Sequence, residues 1–398
     1  MTPSDTGSVA GRKRDARVLI AVLAAGNFAI GMGAFVVIGV LSPMAADLGM
    51  SKTGAGMVMT VYAISYAVLS PVLVSMAGRI DRRAVLVAAL FIFLVASLLA
   101  AFAPNAGVLY AARVLGAVGG GLFTPIAASV AFSASPPERR GKALASVFLG
   151  MTLAQALGIP IGSFIGYTFG WQAVFLAVAA LTAMTLVLAW RLVPRGMAFA
   201  PNSLWTLVEA LRDWRSLFSV LVTANLTASA YFVYTFIAPL LEARMGFGRD
   251  GVTLVLLVYG AGAVAGSWSA GLLTDRFGPM RTLIGVALVQ AAVMPAFSFL
   301  PMPVWLLLVV TFVWSMSGWS YMIPQQARIV RQRPQRQAVI LSLNAACIYV
   351  GAAVGSAASG AVAERTGLEW LGILGGLAVL VAIAHLLLSE WLVRRRGG

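Results

Sequence analysis

Twelve stretches of this chain are each long and apolar enough to cross a lipid bilayer as an α-helix, which leaves few folds open to it. A helix of about 20 apolar residues spans the hydrocarbon core. The stretches lie at roughly 17–41, 53–75, 84–103, 105–134, 141–168, 171–193, 214–243, 250–275, 281–301, 303–331, 336–365 and 368–393. Backbone N–H and C=O groups find no water in lipid, so a spanning segment must satisfy them internally, as a helix does. Composition agrees: 60% of the 398 residues are hydrophobic and 10% are charged, against roughly a quarter charged in a soluble chain. The expected fold class is an all-α membrane protein with twelve transmembrane helices in two pseudo-symmetric six-helix bundles.

The placement of the cations tests this count. A net charge of +15 concentrated on one face or tail would suggest nucleic acid, but here the charge alternates between loops. Twenty-three of the 28 Lys and Arg fall on one side. They include Arg12, Lys13, Arg14 and Arg17 before the first span, Arg79, Arg82 and Arg83 after the second, and Arg139, Arg140 and Lys142 after the fourth. Arg191, Arg195, Arg212 and Arg215 follow, then Arg276 and Arg281, then Arg328, Arg331, Arg333 and Arg336, and finally Arg394 to Arg396. Only Lys52, Arg244, Arg249 and Arg365 fall on the other side, and Arg113 lies within the fourth span. Basic loops stay in the cytoplasm, so both termini are expected there. The apolar stretch after Arg17 is too long for a signal-peptide core and reads as a retained first span.

The longest polar connection, 194–213, divides the chain into an N-terminal bundle (1–193) and a C-terminal bundle (214–398). Features recur in order on either side of it. Val61-Tyr62 matches Val258-Tyr259, Gly158 and Gly162 match Gly351 and Gly355, and Pro43 with Asp47 matches Pro239 with Glu242. Duplicated halves with a binding site between them are a recurring transporter architecture. One cysteine, Cys347, excludes an internal disulfide and supplies no metal spacing. With one histidine and no paired carboxylates inside the spans, neither an embedded enzyme nor a cofactor is expected.

Gly271-Leu-Leu-Thr-Asp275-Arg276-Phe-Gly278 is placed between the eighth and ninth spans. Its glycines suit a tight loop, Asp275 can accept from a helix N-terminus, and Arg276 can pair with a carboxylate. This segment resembles the G-x-x-x-D-R-x-G signature of the major facilitator superfamily, and the resemblance extends over essentially the whole chain. The equivalent first-half loop, Gly78-Arg79-Ile80-Asp81-Arg82-Arg83, departs from it: glycine occupies the aspartate position, and Asp81 lies one turn away. Arg113, in Tyr110-Ala-Ala-Arg113-Val-Leu-Gly116, resembles the family's helix-4 motif, and a cation in a span is a functional candidate by default. Gly158-Ile-Pro160-Ile-Gly162 resembles the helix-5 antiporter motif, with small residues allowing close helix contact. Together with Gly31-Met-Gly-Ala-Phe35 and Asp47-Leu-Gly49, these segments are similar to the twelve-helix drug:proton antiporters, the arabinose-efflux-permease-like exporters.

The resemblance implies export of a small drug-like or metabolite substrate from a bacterial inner membrane in exchange for protons, by a monomer. Uptake, exchange or facilitated diffusion without protons, or a non-transporting sensor, are the alternatives. Many relatives carry an acid in helix 1 where this chain has Ala34. Coupling candidates are therefore Arg113, Asp47 and Glu242, with His385 as a group able to titrate near neutrality. Asn27, Tyr62, Tyr66, Gln155, Asn225, Tyr231, Tyr234, Tyr259, Trp314, Trp319, Gln325 and Asn344 are candidates to line a substrate cavity. Rings with polar tips suit an amphiphilic or aromatic compound, and the lack of a cavity acid favours a neutral or anionic one.

Overall fold

The computed structural model describes residues 4–136, 139–196, 212–332 and 337–394. Most of the expected linker, Arg333, Arg336, Arg395 and Arg396 lie outside the described residues, as do the side chains of Arg12, Lys13, Arg14, Arg79 and Arg394. Among the described residues twelve helices are long and apolar enough to cross a membrane. They are α1 (Arg17–Phe35), α2 (Lys52–Met76), α3 (Arg82–Ala101), α4 (Ala106–Ser133), α5 (Arg140–Phe169) and α6 (Trp171–Leu192). The second half holds α7 (Trp214–Met245), α8 (Arg249–Phe277), α9 (Pro279–Phe299), α10 (Val304–Gln332), α11 (Ile340–Arg365) and α12 (Leu368–Val393).

Prolines decide where these helices break. Proline has no N–H to donate and crowds the carbonyl four residues earlier. Pro43 acts this way on Gly39, and Pro239 on Thr235. Accordingly α1 stops at Phe35 and resumes as a short helix, Val37–Asp47, with Val40 in a non-helical conformation. Likewise α7 is interrupted between Tyr234 and Ile237. The collinear Pro43 and Pro239 thus produce the same break in each half. In α5, Pro160 lies beside a wide π turn at Ala154–Gly158. In α4, Pro125 frees the Gly121 carbonyl, and Ser70 of α2 donates its Oγ–H to it at 2.6 Å.

The two halves meet along α2 against α11 and along α5 against α8, with the Val37–Asp47 segment reaching the end of α7. The basic helix ends (Arg82, Arg140, Arg281, Arg331) lie at one extremity; Asp47, Lys52, Glu242 and Glu364 lie at the other, here the far end. Hydrogen bonds between the halves among the described residues cluster toward the far end. Lys52 Nζ donates to the Ala363 carbonyl at 3.2 Å, while the Thr53 backbone N–H donates to Glu364 Oε2 at 3.1 Å. This pairing is reciprocal. A carboxylate from the end of α11 meets the unsatisfied donors of the first turn of α2, and a cation from that turn meets the last carbonyls of α11. Thr60 Oγ1 donates to Ala353 O at 3.2 Å, and Tyr167 donates to Glu242. Midway along the helices Tyr66 stacks on Tyr349 with ring centroids 3.8 Å apart. On the other seam Gly260 of α8 lies against Ala156, and a Cβ there would sit 2.7 Å from the Ala156 Cα.

Candidate functional site

Arg113 is the most constrained polar group in the first half. Its side chain is 4% exposed, and the guanidinium is held by backbone carbonyls from two helices. Nη1 donates to Gly33 O at 2.7 Å, Nη2 to Ala34 O at 2.6 Å and Nε to Val58 O at 3.3 Å. Its Cζ lies 4.4 Å from the centroid of the Tyr62 ring, a cation–π contact. Gly33 and Ala34 belong to the last turn of α1 before its break, where carbonyls lack helical partners and carry the negative end of the dipole. The broken helix end therefore presents partial negative charge to the guanidinium. A cavity of about 10 Å³, the size of one water, adjoins Arg113 and Ser97.

Five of the expected cavity residues gather in one cluster of the second half. Tyr234 stacks on Tyr259 at 4.2 Å, Tyr231 meets Tyr234 edge-on at 5.6 Å, and Trp314 meets Tyr259 at 5.0 Å. Trp319 Nε1 donates to the Tyr259 hydroxyl at 3.2 Å, and Ser315 donates to the Tyr259 backbone carbonyl. Tyr62 and Tyr66, 6.2 Å apart, form a smaller group in the first half that meets Tyr349 across the α2–α11 seam.

The polar candidates are placed differently. Asn27 is fully buried between α1, α4 and α5; Nδ2 donates to Val147 O at 3.1 Å and Oδ1 accepts from Thr124 at 2.8 Å. Asn344 accepts from Thr223 at 2.5 Å, and Gln325 donates to Ser219 O at 3.0 Å while accepting from Arg328 at 3.3 Å. These three join helices within a half. Asn225 Nδ2 lies 2.8 Å from His385 Nδ1, and His385 Nε2 lies 2.9 Å from Phe218 O. A carbonyl only accepts, so Nε2 donates to Phe218 O. Gln155, half-buried, sits in the π turn of α5.

The helix-5 glycines face α1. A Cβ at Gly158 would meet Met32 at 3.3 Å, and one at Gly162 would overlap Val36; Pro160 is buried beside them. This motif is thus the surface on which the broken part of α1 rests. The two signature segments differ from each other. Asp81 caps α3, accepting from the Arg83 backbone N–H at 3.4 Å, and Arg83 lies 5.7 Å from the Trp190 ring. Gly78 is buried in a single 3₁₀ turn, and Arg82 is buried with Nη1 3.5 Å from Ala77 O. In the second half Gly271 through Phe277 are helical, because α8 continues to Phe277, and the expected loop shrinks to Gly278. Gly278 makes the turn with φ +79°, a conformation that glycine takes without strain. Asp275 is exposed, and Arg276 lies over the Phe277 ring at 5.3 Å.

At the far end the two matched acids diverge. Asp47 accepts from Trp171 Nε1 at 2.8 Å and Gln172 Nε2 at 2.9 Å, inside the first half. Glu242 instead accepts from Tyr167 of the other half. Tyr167, Tyr349 and the contacts of Lys52 with Ala363 O and of Thr53 with Glu364 are not apparent from the sequence. Tyr349 lies on the same helix as Asn344, but only the packing of α11 on α2 puts it against Tyr66.

Twelve crossing helices in two halves, with proline breaks in α1 and α7 and polar joins between the halves toward one end, define a transporter fold. The chain belongs to the major facilitator superfamily, whose family model matches residues 23–353. It is 30% identical over 370 residues to the Escherichia coli (strain K12) inner membrane transport protein YdhP, covering 92% of this chain and 94% of that one. It is 27% identical over 392 residues to a probable sugar efflux transporter of Pasteurella multocida, covering 96% and 94%. In fold it resembles the nucleoside transporter NupG, with a TM-score of 0.77 at 12% identity over 94% of this chain and 99% of that one. It also resembles a bacterial homologue of the human lysosomal transporter Spinster in an inward-facing, occupied conformation, with a TM-score of 0.74 at 16% identity, covering 94% and 96%. The protein is a multi-pass transporter of the bacterial inner membrane.

Proposed function

We propose that this transporter exports a small, neutral or anionic metabolite or drug-like compound in exchange for protons, working as a monomer by alternating access. In this reading the chain divides into bundles 1–193 and 214–398 joined by the 194–213 connection, both termini are cytoplasmic, and the far end is the outer gate. The observation that carries it is the distribution of contacts between the halves: Tyr167 to Glu242, Thr53 to Glu364 and Lys52 to Ala363. Each is a polar contact, partly or wholly open to solvent, that rocking the halves apart breaks singly and water can replace. The far end can therefore open without tearing a packed core.

The rings around Tyr234, Tyr259 and Trp314 are buried and packed on one another in this structure; in the proposed cycle they part to receive a ring-bearing or sugar-like substrate, the latter in keeping with the Pasteurella multocida relative. Arg113, held by three carbonyls, supplies a fixed positive charge that disfavours a cationic substrate. Exchange or facilitated diffusion without protons is favoured by one specific fact: among the described residues, the Arg113 guanidinium bonds backbone carbonyls and no carboxylate.

Inverted membrane vesicles with an imposed pH gradient separate these readings. A panel of sugars, nucleosides, amino acids and drugs is added, and proton release is followed with a pH-sensitive dye. Substrate-dependent release that Arg113→Lys reduces is the expected result. Substrate movement that ignores collapse of the gradient would rule out proton exchange.

A further inference from the structure

We propose that the cavity at the basic end of the second half holds the phosphodiester headgroup of an anionic phospholipid. The cavity encloses about 390 Å³ between the α8–α9 turn and the ends of α10 and α12, within the range of about 300–1,000 Å³ typical of small-molecule sites. Three arginines line it, Arg281, Arg328 and Arg331, against one acid, Glu390.

The arginines are not equivalent. Arg328 is 3% exposed and fully engaged: Nε bonds Glu390 at 3.3 Å, Nη2 donates to Ser389 at 2.6 Å and Nη1 to Gln325 at 3.3 Å. It braces the floor and neutralises Glu390. Arg281 and Arg331 are exposed, and among the described residues neither makes a hydrogen bond or ion pair. Two free guanidiniums beside an already neutralised acid leave the cavity positive.

The backbone adds to this. Helix α9 starts at Pro279, its N-cap is Gly278, and no side chain caps it. Gly278, Pro279, Met280 and Arg281 line the cavity, so the first turn of α9 brings the positive end of the helix dipole to it, a placement that favours phosphate. Two anion-directed features, one from side chains and one from main chain, therefore converge on the same space.

The walls choose between a soluble anion and a lipid. Phe277, Met280 and Val393 also line the cavity, Phe277 is 47% exposed, and Trp391, which follows Glu390 on α12, is 46% exposed. A free phosphate has no use for such a wall. A phospholipid lays its acyl chains along it while the headgroup meets the arginines, and aromatic side chains are favoured at headgroup depth. Helices α9 and α12 make their main contacts within the second half, so the site lies apart from the seam that must open during transport.

Purified protein, delipidated in detergent and offered phosphatidylglycerol or phosphatidylcholine, is assayed by native mass spectrometry for retained lipid. Wild type is expected to retain phosphatidylglycerol in preference. Arg281→Gln with Arg331→Gln is expected to reduce that retention about tenfold, from two cationic contacts of moderate strength. Arg83→Gln with Arg139→Gln removes the same charge from the same end of the other half and should leave retention near wild type. Unchanged retention in the first double variant, or an equal loss in the second, would overturn the proposal. A thermal shift in which inorganic phosphate stabilises the protein as much as phosphatidylglycerol does would overturn it as well, by assigning the site to a soluble anion.

Discussion

Replacing Tyr167 with Phe removes one hydrogen bond and leaves a ring of nearly the same shape. That bond, from Tyr167 to Glu242, joins α5 of one half to α7 of the other at the far end. A hydrogen bond to a charged group contributes about 1.5–3 kcal/mol net, and half-burial places this one near the lower figure. About 1.4 kcal/mol is tenfold in a population ratio. Tyr167→Phe should therefore raise the ratio of open to shut far ends about tenfold. Spin labels on cysteines at Ala46 and Ala243, both exposed and on opposite sides of the seam, report the separation by pulsed dipolar spectroscopy. Cys347 is buried and does not compete for label. Tyr110→Phe is the control: its hydroxyl donates to Gly54 O at 2.8 Å, an equally modest bond that lies inside the first half. If Tyr167→Phe leaves the distance distribution unchanged, or if Tyr110→Phe shifts it as far, the Tyr167–Glu242 bond does not hold that end shut.

Four other outcomes are expected. Gly260→Val puts a branched side chain against the Ala156 backbone, where even a Cβ would sit 2.7 Å from Cα; overpacking of about 1–3 kcal/mol should lower the melting temperature and depress transport. Arg113→Lys keeps the charge but cannot match a three-carbonyl fork, so transport should fall more than tenfold while the protein still elutes as a single peak in size-exclusion chromatography. Ser70→Ala leaves the Gly121 carbonyl freed by Pro125 without its donor, at a cost of about 1–3 kcal/mol that thermal unfolding will register. Trp319→Phe removes the N–H that orients Tyr259 and should weaken substrate binding, read as a raised KM, with a melting temperature close to wild type.

The spans were legible because hydropathy and length are local properties. The ends of α2, α4, α6 and α12 fall within about a residue of where the sequence puts them. The first span reads as one piece because its hydropathy runs unbroken through Val36 and Val40; the non-helical Val40 lies where Pro43 leaves the Gly39 carbonyl without a donor. The roles of the polar and aromatic residues inside the spans were far less legible. A polar residue in an apolar helix must find a partner, but the sequence does not say whether that partner is a neighbouring helix or a ligand. Asn27, Gln325 and Asn344 found helices. The rings around Tyr259 pack into one cluster; the sequence names the rings, but their convergence depends on how α7, α8 and α10 pack. Position 34 shows the limit from the other side. The sequence shows an alanine there and nothing more, whereas the structure shows its backbone carbonyl accepting from Arg113.

The reciprocal pairing of Lys52 with the end of α11 and of Glu364 with the start of α2 has a consequence for how this protein responds to its medium. Both contacts lie in or near solvent, and exposed charge contacts of this kind contribute up to about 1 kcal/mol each. Dissolved electrolyte weakens them, since the screening length falls from about 10 Å at 0.1 M to about 3 Å at 1 M. Arg113, buried among carbonyls, is insulated from the same ions. In the proposed alternating-access cycle, the ionic strength of the compartment at that end would therefore act on the seam and leave the buried charge untouched.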